Sequence, residues 1–475
     1  MKRRSFLAGG LALAAARARA ISQRRFGGTL AAGLIDKGSG RTGPNPRTLD
    51  PLAARTRLER EIACALHLPL FAPARGHLAG RYAGLLVEQA VPLSREKRAF
   101  AITLRAGLAF SDGSPLTAAD AAASLTRAIA APAGRSLACV IAAVRAKEDR
   151  RLEIETRGAV SDLPALLFGL SAAVLPAGGD GSAGLGGFRL ASRSAAELLL
   201  EANPRSPAGR AWLDRLQIVA ADEAAWRRGA VQAASLPGGA ERERITGETA
   251  ATIALVLSPK LSPEMRARIA AAPDMKVLTE VFLAGRATAA TSLLAPPLLG
   301  VLSQPAQLSA RPRPPRPASH TALSLFVADA SPEIRVAADR IVWDLLGAGF
   351  AATIGWKTPD ALEEAVASDR YDLALTEWVP CDLDAGRALA GAGRDPLFAP
   401  AASRMEGGAD SLASGALLDD ADARTAAAAA GARKLADTGL VVPLVHPRRV
   451  LRRQPDLGSL ALDARGSVDW CEVSR

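Results

Sequence analysis

Residues 102–129 read ITLRAGLAFSDGSPLTAADAAASLTRAI. Ile102-Thr103-Leu104-Arg105 alternates apolar and polar side chains, the period of a half-buried strand. Ser111-Asp112-Gly113 marks a turn, because glycine takes positive φ without a steric penalty. Thr117 stands where an N-cap belongs, and Asp120 follows three residues later at the positive end of the helix dipole. The alanine-rich run after it predicts a helix. Strand, turn and capped helix by themselves carry no chemistry, so function has to come from the surrounding chain.

With 475 residues the chain is too long for one simple core, and two or three domains are expected. Hydrophobic residues make up 49%, which supports packed domains over disorder. The formal net charge is +11. Lys2, Arg3, Arg4, Arg17 and Arg19 supply five of those charges, and the first 20 residues hold no acid, which leaves +6 for the rest. Aromatic residues are only 4% and no basic run is interleaved with them. The footprint of a nucleic-acid binder is therefore missing, and no nucleic acid is expected as a partner.

The N-terminus reads as a targeting segment. Lys2-Arg3-Arg4-Ser5-Phe6-Leu7 is a charged region, residues 8–16 are short and weakly apolar, and Ala18-Arg19-Ala20 offers a cleavage site. The twin-arginine pattern resembles signals that export folded proteins; an ordinary secretory signal is the alternative. Cleavage makes residues 1–20 a signal peptide and Ile21 the first mature residue. No cysteine lies near that site, so a soluble periplasmic protein without a lipid anchor is expected. The stretch 293–302 is apolar but broken by Pro296-Pro297, and it is too short to span a bilayer.

Few residues offer chemistry. Cys64, Cys139, Cys381 and Cys471 allow three disulfide pairings, and free buried thiols are an equal alternative. No C-x-x-C occurs, so neither a metal knuckle nor a thioredoxin-like site is expected. His67, His77, His320 and His446 are scattered without H-E-x-x-H spacing, and no G-x-S-x-G elbow exists. His446 reads as a structural histidine at a strand end. The glycine-rich run Ala183–Leu190 lacks the spacing of a phosphate loop. No enzyme, no cofactor and no metal are expected.

The second half has its own rhythm. Leu323-Ser324-Leu325-Phe326-Val327, 350–356 and 371–378 read as strands, and 332–346 and 358–367 as the helices between them. Such β-α-β-α-β order predicts a mostly parallel sheet with helices on both faces. Trp343 and Trp356 are expected in the core on periodicity. A helix over 421–435 and closing strands at 441–445 and 450–451 follow. The run Arg311-Pro312-Arg313-Pro314-Pro315-Arg316-Pro317 excludes a helix and predicts an extended linker over about 303–319.

Several phrases in chain order resemble the extracellular solute-binding proteins, family 5, that serve peptide and nickel ABC importers. They are Gly27-Gly28-Thr29-Leu30, Leu49-Asp50-Pro51, the 102–129 block itself, the 183–190 strand entry, Trp212-Leu213-Asp214-Arg215-Leu216 and Tyr371-Asp372…Trp378. The resemblance implies an α/β, two-lobed fold of the type II periplasmic-binding-protein kind, with mixed sheets and a hinge. Lobe 1 is expected over 21–257 plus 440–475, with an inserted subdomain at about 55–150, and lobe 2 over 258–439. The implied function is the periplasmic substrate-binding component of an ABC importer, a monomer that carries a peptide or other small-molecule ligand to an inner-membrane permease. In peptide-binding members an aspartate just after the "YD--L--W" strand takes the peptide ammonium. Cys381 holds the usual offset here, so Asp382 is the expected anchor, Asp384 the second, and Trp378 a candidate wall of the cleft. Phrases usual in the family are missing between Val281 and Leu298. That departure keeps two alternatives open: a degenerate or repurposed sensor, chaperone or scaffold, and, more remotely, an exported hydrolase on the same scaffold.

Overall fold

The computed structural model describes residues 26–36, 46–73, 82–236, 239–302, 320–329, 331–455, 457, 460–463 and 465–474. The expected signal peptide and proline-rich linker lie outside the described residues. Strands of the first half are β1 (Thr29–Asp36), β2 (Ala72–Pro73), β3 (Tyr82–Ala83), β4 (Val87–Pro92), β5 (Ala99–Leu104), β6 (Ile141–Glu148), β7 (Arg151–Thr156), β8 (Phe188–Arg193), β9 (Glu197–Ala202) and β10 (Arg215–Ala221). Then come β11 (Ala233–Ala234), β12 (Arg244–Glu248), β13 (Thr252–Leu257), β14 (Ala287–Ala289), β15 (Thr321–Ala328), β16 (Phe350–Lys357), β17 (Leu373–Trp378) and β18 (Val441–Arg453). The helices that matter below are α1 (Arg57–Leu66), α2 (Ala118–Ala130), α3 (Arg135–Val140), α4 (Pro332–Gly347), α5 (Pro359–Ala367), α6 (Ala385–Gly393), α7 (Gly408–Ala416) and α8 (Ala421–Asp437).

The 102–129 block folds as its local signals require. β5 lies between β4 and β7 in a four-stranded antiparallel sheet, β4-β5-β7-β6. Gly113 turns the chain at φ 96°. Thr117 and Asp120 then close a reciprocal capping box, the Thr117 amide donating to Asp120 at 2.9 Å and the Asp120 amide to Thr117 Oγ1 at 3.3 Å. α2 buries Ala121, Leu125 and Ala128 against this sheet, with Phe100, Ile102 and Ile154. The same device starts α1, where Thr56 and Glu59 form a second capping box.

The large sheet has twelve strands in the order β16-β15-β17-β13-β18-β11-β1-β10-β9-β8, with β12 and β14 also on β18. β15, β16 and β17 are mutually parallel, as the β-α-β-α-β rhythm predicts. α4 packs on one face with Leu325 and Leu375, and α5 on the other with Ala328 and Ala374. β13 enters antiparallel between β17 and β18, so the sheet is mixed. The expected pair of closing strands is a single strand of 13 residues, β18. The break suggested by His446-Pro447-Arg448-Arg449 does not occur. β14 pairs with Val445, His446 and Pro447, and β12 takes over from Arg448 to Arg452. One half of β18 thus joins a core with Leu255 and Leu325, and the other half a core with Leu30 and Leu216. Arg449 and Glu61, both buried, pair at 2.8 Å and tie β18 to α1.

Trp343 and Trp356 correct a sequence expectation. Trp343 is 70% exposed and Trp356 45%. The core face of α4 is filled by Ile334, Ala337, Ala338, Ile341 and Leu345, and Trp343 falls outside that stripe. Trp356 lies on the edge strand β16, where the Arg335 guanidinium stacks 5.2 Å from its ring centre. All four cysteines are free thiols.

His446 and His67 are buried and hydrogen-bonded, His446 Nδ1 to Thr252 Oγ1 and His67 Nε2 to the Leu49 carbonyl, both at 3.0 Å. Burial pushes each imidazole down to about 4 from an ordinary value near 6.5. The unfolded chain therefore takes up these protons at a higher pH than the fold does. Their contribution is complete above pH 6.5 and is lost as pH falls from 6.5 to 4, by up to about 3 kcal/mol each. Across that range His446→Asn should show a shallower fall in melting temperature than the wild type. Parallel curves for the two proteins would rule out His446 as a source of acid sensitivity.

Candidate ligand-binding site

The two lobes meet along a line of arginines and carboxylates. The entry to α1 presents Arg55 and Arg57, and α3 begins with Arg135. Arg55 pairs with Asp360 at 3.1 Å and Glu363 at 3.2 Å, both on α5. Arg57 pairs with Glu377 on β17 at 3.0 Å and with Glu333 on α4 at 3.6 Å. Arg135 bridges Glu363 at 2.8 Å and Asp395 at 2.5 Å. Carboxylates of the second lobe therefore hold cations of the first. These arginine side chains are only 14–22% exposed, so the attractions are weakly screened by water.

The backbones approach closely here because α6 is built from small residues. Its sequence is AGRALAGAG, and all nine residues are buried. A Cβ on Gly391 would stand 2.6 Å from Ser136 Oγ and 3.1 Å from the Ser136 amide nitrogen. Only glycine lets α3 and α6 come this near, and that approach delivers Arg135 to Asp395, two residues past α6.

Beside the seam lies a cavity of about 140 Å³. Arg55, Arg60 and Cys64 line it from the first lobe, and Trp378, Cys381 and Asp395 from the second. Arg465 and the hydroxyls of Ser171 and Ser467 complete one side. Burial raises the Asp395 carboxyl to about 6, against the opposing pull of Arg135. Burial also pushes the Cys64 thiol up to about 12 and raises Cys381, so both stay protonated and are poor nucleophiles. No group of three His, Cys, Asp or Glu side chains fit to hold a metal occurs among the described residues.

Trp378 closes β17, lines the cavity, and meets Phe398 edge-on at 6.1 Å. Asp382 and Asp384 stand beside the cavity, outside its lining. Asp382 is 5% exposed and grips Arg387 with both oxygens, at 2.7 and 3.3 Å. Its Oδ1 also accepts the Asp384 amide at 2.8 Å. Asp384 caps α6 through the Arg387 amide and takes Arg424 at 2.8 Å. Arg387 reaches across to the Ala165 carbonyl at 2.9 Å. His446 is 7% exposed and bonded within the sheet, away from this lining. The residues that sequence reasoning missed are Arg55, Arg57, Arg60, Arg135, Glu363, Asp395 and Arg465. Only the arginine spacing of Arg55-Thr56-Arg57-Leu58-Glu59-Arg60 hints at them, since it places cations at the start of a helix, where its dipole disfavours them.

Comparison with known proteins bears on this arrangement. The model of bacterial extracellular solute-binding proteins, family 5 Middle, matches residues 82–390. Curated protein sequences gave no match. Among solved structures, OppA of Haemophilus influenzae, complexed with RPPGFSPFR, is similar at 16% identity and a TM-score of 0.73, over 95% of this chain and 99% of that one. The binding protein DppA of Helicobacter pylori, with peptide STSA, gives 16% identity and a TM-score of 0.75 over the same shares. A dipeptide-binding protein of Pseudoalteromonas, with Met-Leu, gives 14% and 0.74 over 94% of this chain and 100% of that one. At such identities the likeness establishes the two-lobed fold. No helix among the described residues is long and apolar enough to cross a membrane. The family match covers well over half of the sequence, and the chain belongs to the bacterial extracellular solute-binding proteins, family 5.

Proposed function

We propose that this protein is the periplasmic substrate-binding component of an ABC importer. It captures a peptide or similar small solute between its lobes and hands it to an inner-membrane permease. One observation carries the proposal: the cavity that holds Trp378 lies where the lobes meet across the Arg55, Arg57 and Arg135 pairs. A pocket at a junction of lobes, with an apolar lining and a few convergent polar groups, is where small solutes bind. The three neighbours of similar fold named above were solved with peptides bound. The family consists of binding proteins, and no catalytic step is assigned here.

The expected export route belongs to the same proposal: a twin-arginine signal cleaved after Ala20, no lipid anchor, and a monomer in the periplasm. The lobe division follows the sheet. We place the crossings just before β13 and within β18 near Pro447, where pairing passes from β14 to β12. Lobe 1 is then about 26–249 plus 448–474, and lobe 2 about 250–447. The sequence-based boundaries at 257 and 440 put β13 and the start of β18 in lobe 1, whereas both pack with the second core. Hinge motion about these two crossings opens and closes the cleft. Trp378 serves as a ligand contact. Asp382 and Asp384 serve as positioning residues, since both spend their charge on Arg387 and Arg424.

Small molecules co-purifying with periplasmic protein should be identifiable by mass spectrometry, and Trp378→Ala should weaken binding of that molecule by about 1–3 kcal/mol. An empty protein without thermal shift across a library of peptides and small solutes would defeat the importer proposal. Arg135→Gln leaves Asp395 and Glu363 short of a partner in the closed form. It should raise the ligand dissociation rate by roughly tenfold or more and lower the melting temperature. An unchanged off-rate would show that this pair does not hold the lobes.

A further inference from the structure

The polar groups around the cavity are unevenly matched. Its lining carboxylates are Glu363, Glu377 and Asp395. Each already holds an arginine: Glu363 holds Arg55 and Arg135, Glu377 holds Arg57, and Asp395 holds Arg135. Four arginines line the cavity, Arg55, Arg60, Arg135 and Arg465. No carboxylate among the described residues comes within the 4.0 Å of an ion pair to Arg60 or Arg465. Arg60 donates from Nη1 to the Arg55 carbonyl at 2.9 Å, and it feels the Glu377 and, more weakly, the Glu59 carboxylates without an ion pair to either. Arg465 stacks its guanidinium over Phe168 at 5.2 Å, and its Nη2 is buried without a hydrogen-bond partner. Both guanidiniums line the cavity together with Cys64, whose thiol also feels the Asp463 and Glu61 carboxylates. Arg60 and Cys64, four residues apart, share one face of α1.

A buried guanidinium without an anion is costly, and it is relieved by a ligand that brings the missing charge. Glu377 Oε2 is also buried without a hydrogen-bond partner, but its carboxylate, like the other two of the lining, is held by an arginine, whereas Arg60 and Arg465 have no ion pair among the described residues. We infer that the cleft is built for an acidic solute, whose carboxylate is received by Arg60 and Arg465 beside Cys64. This rests on the importer proposal and names the ligand class for it. Burial of the Arg60 charge lowers its basicity and agrees with a site awaiting an anion.

The test is calorimetric titration of the full mature protein with four probes: glutarate, N-acetyl-Ala-Glu, Ala-Ala-amide and Lys-Ala-amide. Glutarate or N-acetyl-Ala-Glu should bind at least about tenfold tighter than either amide. Binding of both acidic probes points to a free carboxylate as the source, and binding of the acetylated dipeptide alone to a peptide-borne one. Arg60→Gln and Arg465→Gln should each weaken the acidic probe by about 10- to 100-fold. Arg60→Lys, which keeps the charge, should retain most of the affinity, and melting curves identify any variant that fails to fold. Amides binding as well as the acidic probes, or folded glutamine variants with unchanged affinity, would overturn the acidic-ligand inference and leave the importer proposal standing. Absence of binding by all four probes would overturn the inference, and the importer proposal would then stand or fall on co-purified molecules.

Discussion

Arg135, at the start of α3, reaches two carboxylates of the opposite lobe, Glu363 and Asp395, from a nearly buried position. Burying such charges is costly, and the cost is recovered only where every partner is in place. The pairs at Arg55, Arg57 and Arg135 therefore add little net stability as a set. Their effect is to select one relation between the lobes over others that would leave a buried charge alone. α6 makes that relation reachable, because its alanines and glycines let α3 approach within reach of Asp395. Charge and small side chains act together: without Gly391 the arginine stands too far off, and without the arginine the close approach brings only weak contacts.

The seam also determines what is left for a ligand. Carboxylates used in closing the lobes are unavailable to a bound cation. Asp382 shows the same trade on a smaller scale. The family resemblance makes it the expected ammonium anchor, and in this chain it grips Arg387 with both oxygens. Arg387 in turn reaches the Ala165 carbonyl of the first lobe. A residue expected to meet ligand thus supports the wall behind it. The cations without an ion pair among the described residues, Arg60 and Arg465, line the cavity itself.

β18 carries a related lesson about continuity. Residues 446–449 are polar and contain a proline, and read locally they end a strand. In the structure β14 and β12 meet them in succession, and the strand runs unbroken from one lobe's core into the other's. His446 is held neutral in that crossing by burial, and its Nδ1 is bonded to Thr252 Oγ1. The hinge proposed here thus contains regular strand, which limits the motion to bending and twist.

Local signals were enough for much of this protein. The capping box at Thr117, the turn at Gly113, the alternating strands and the β-α-β-α-β order are all short-range features, set by backbone sterics and by the period of apolar side chains, and they were readable in the chain. Ordered phrases pointed to the family for the same reason, since each phrase is a local piece of a shared scaffold. Trp343 and Trp356 were misread because periodicity reports which face is apolar, but not which face meets a neighbour. The partners of Asp382, Arg135 and Arg60 were illegible for a deeper reason. Arg135 and Asp395 are 260 residues apart, and nothing near either one in sequence records which charge will neutralise it. Local sequence determined the elements; long-range packing, by pairing some charges and stranding others, decided what the cleft can hold.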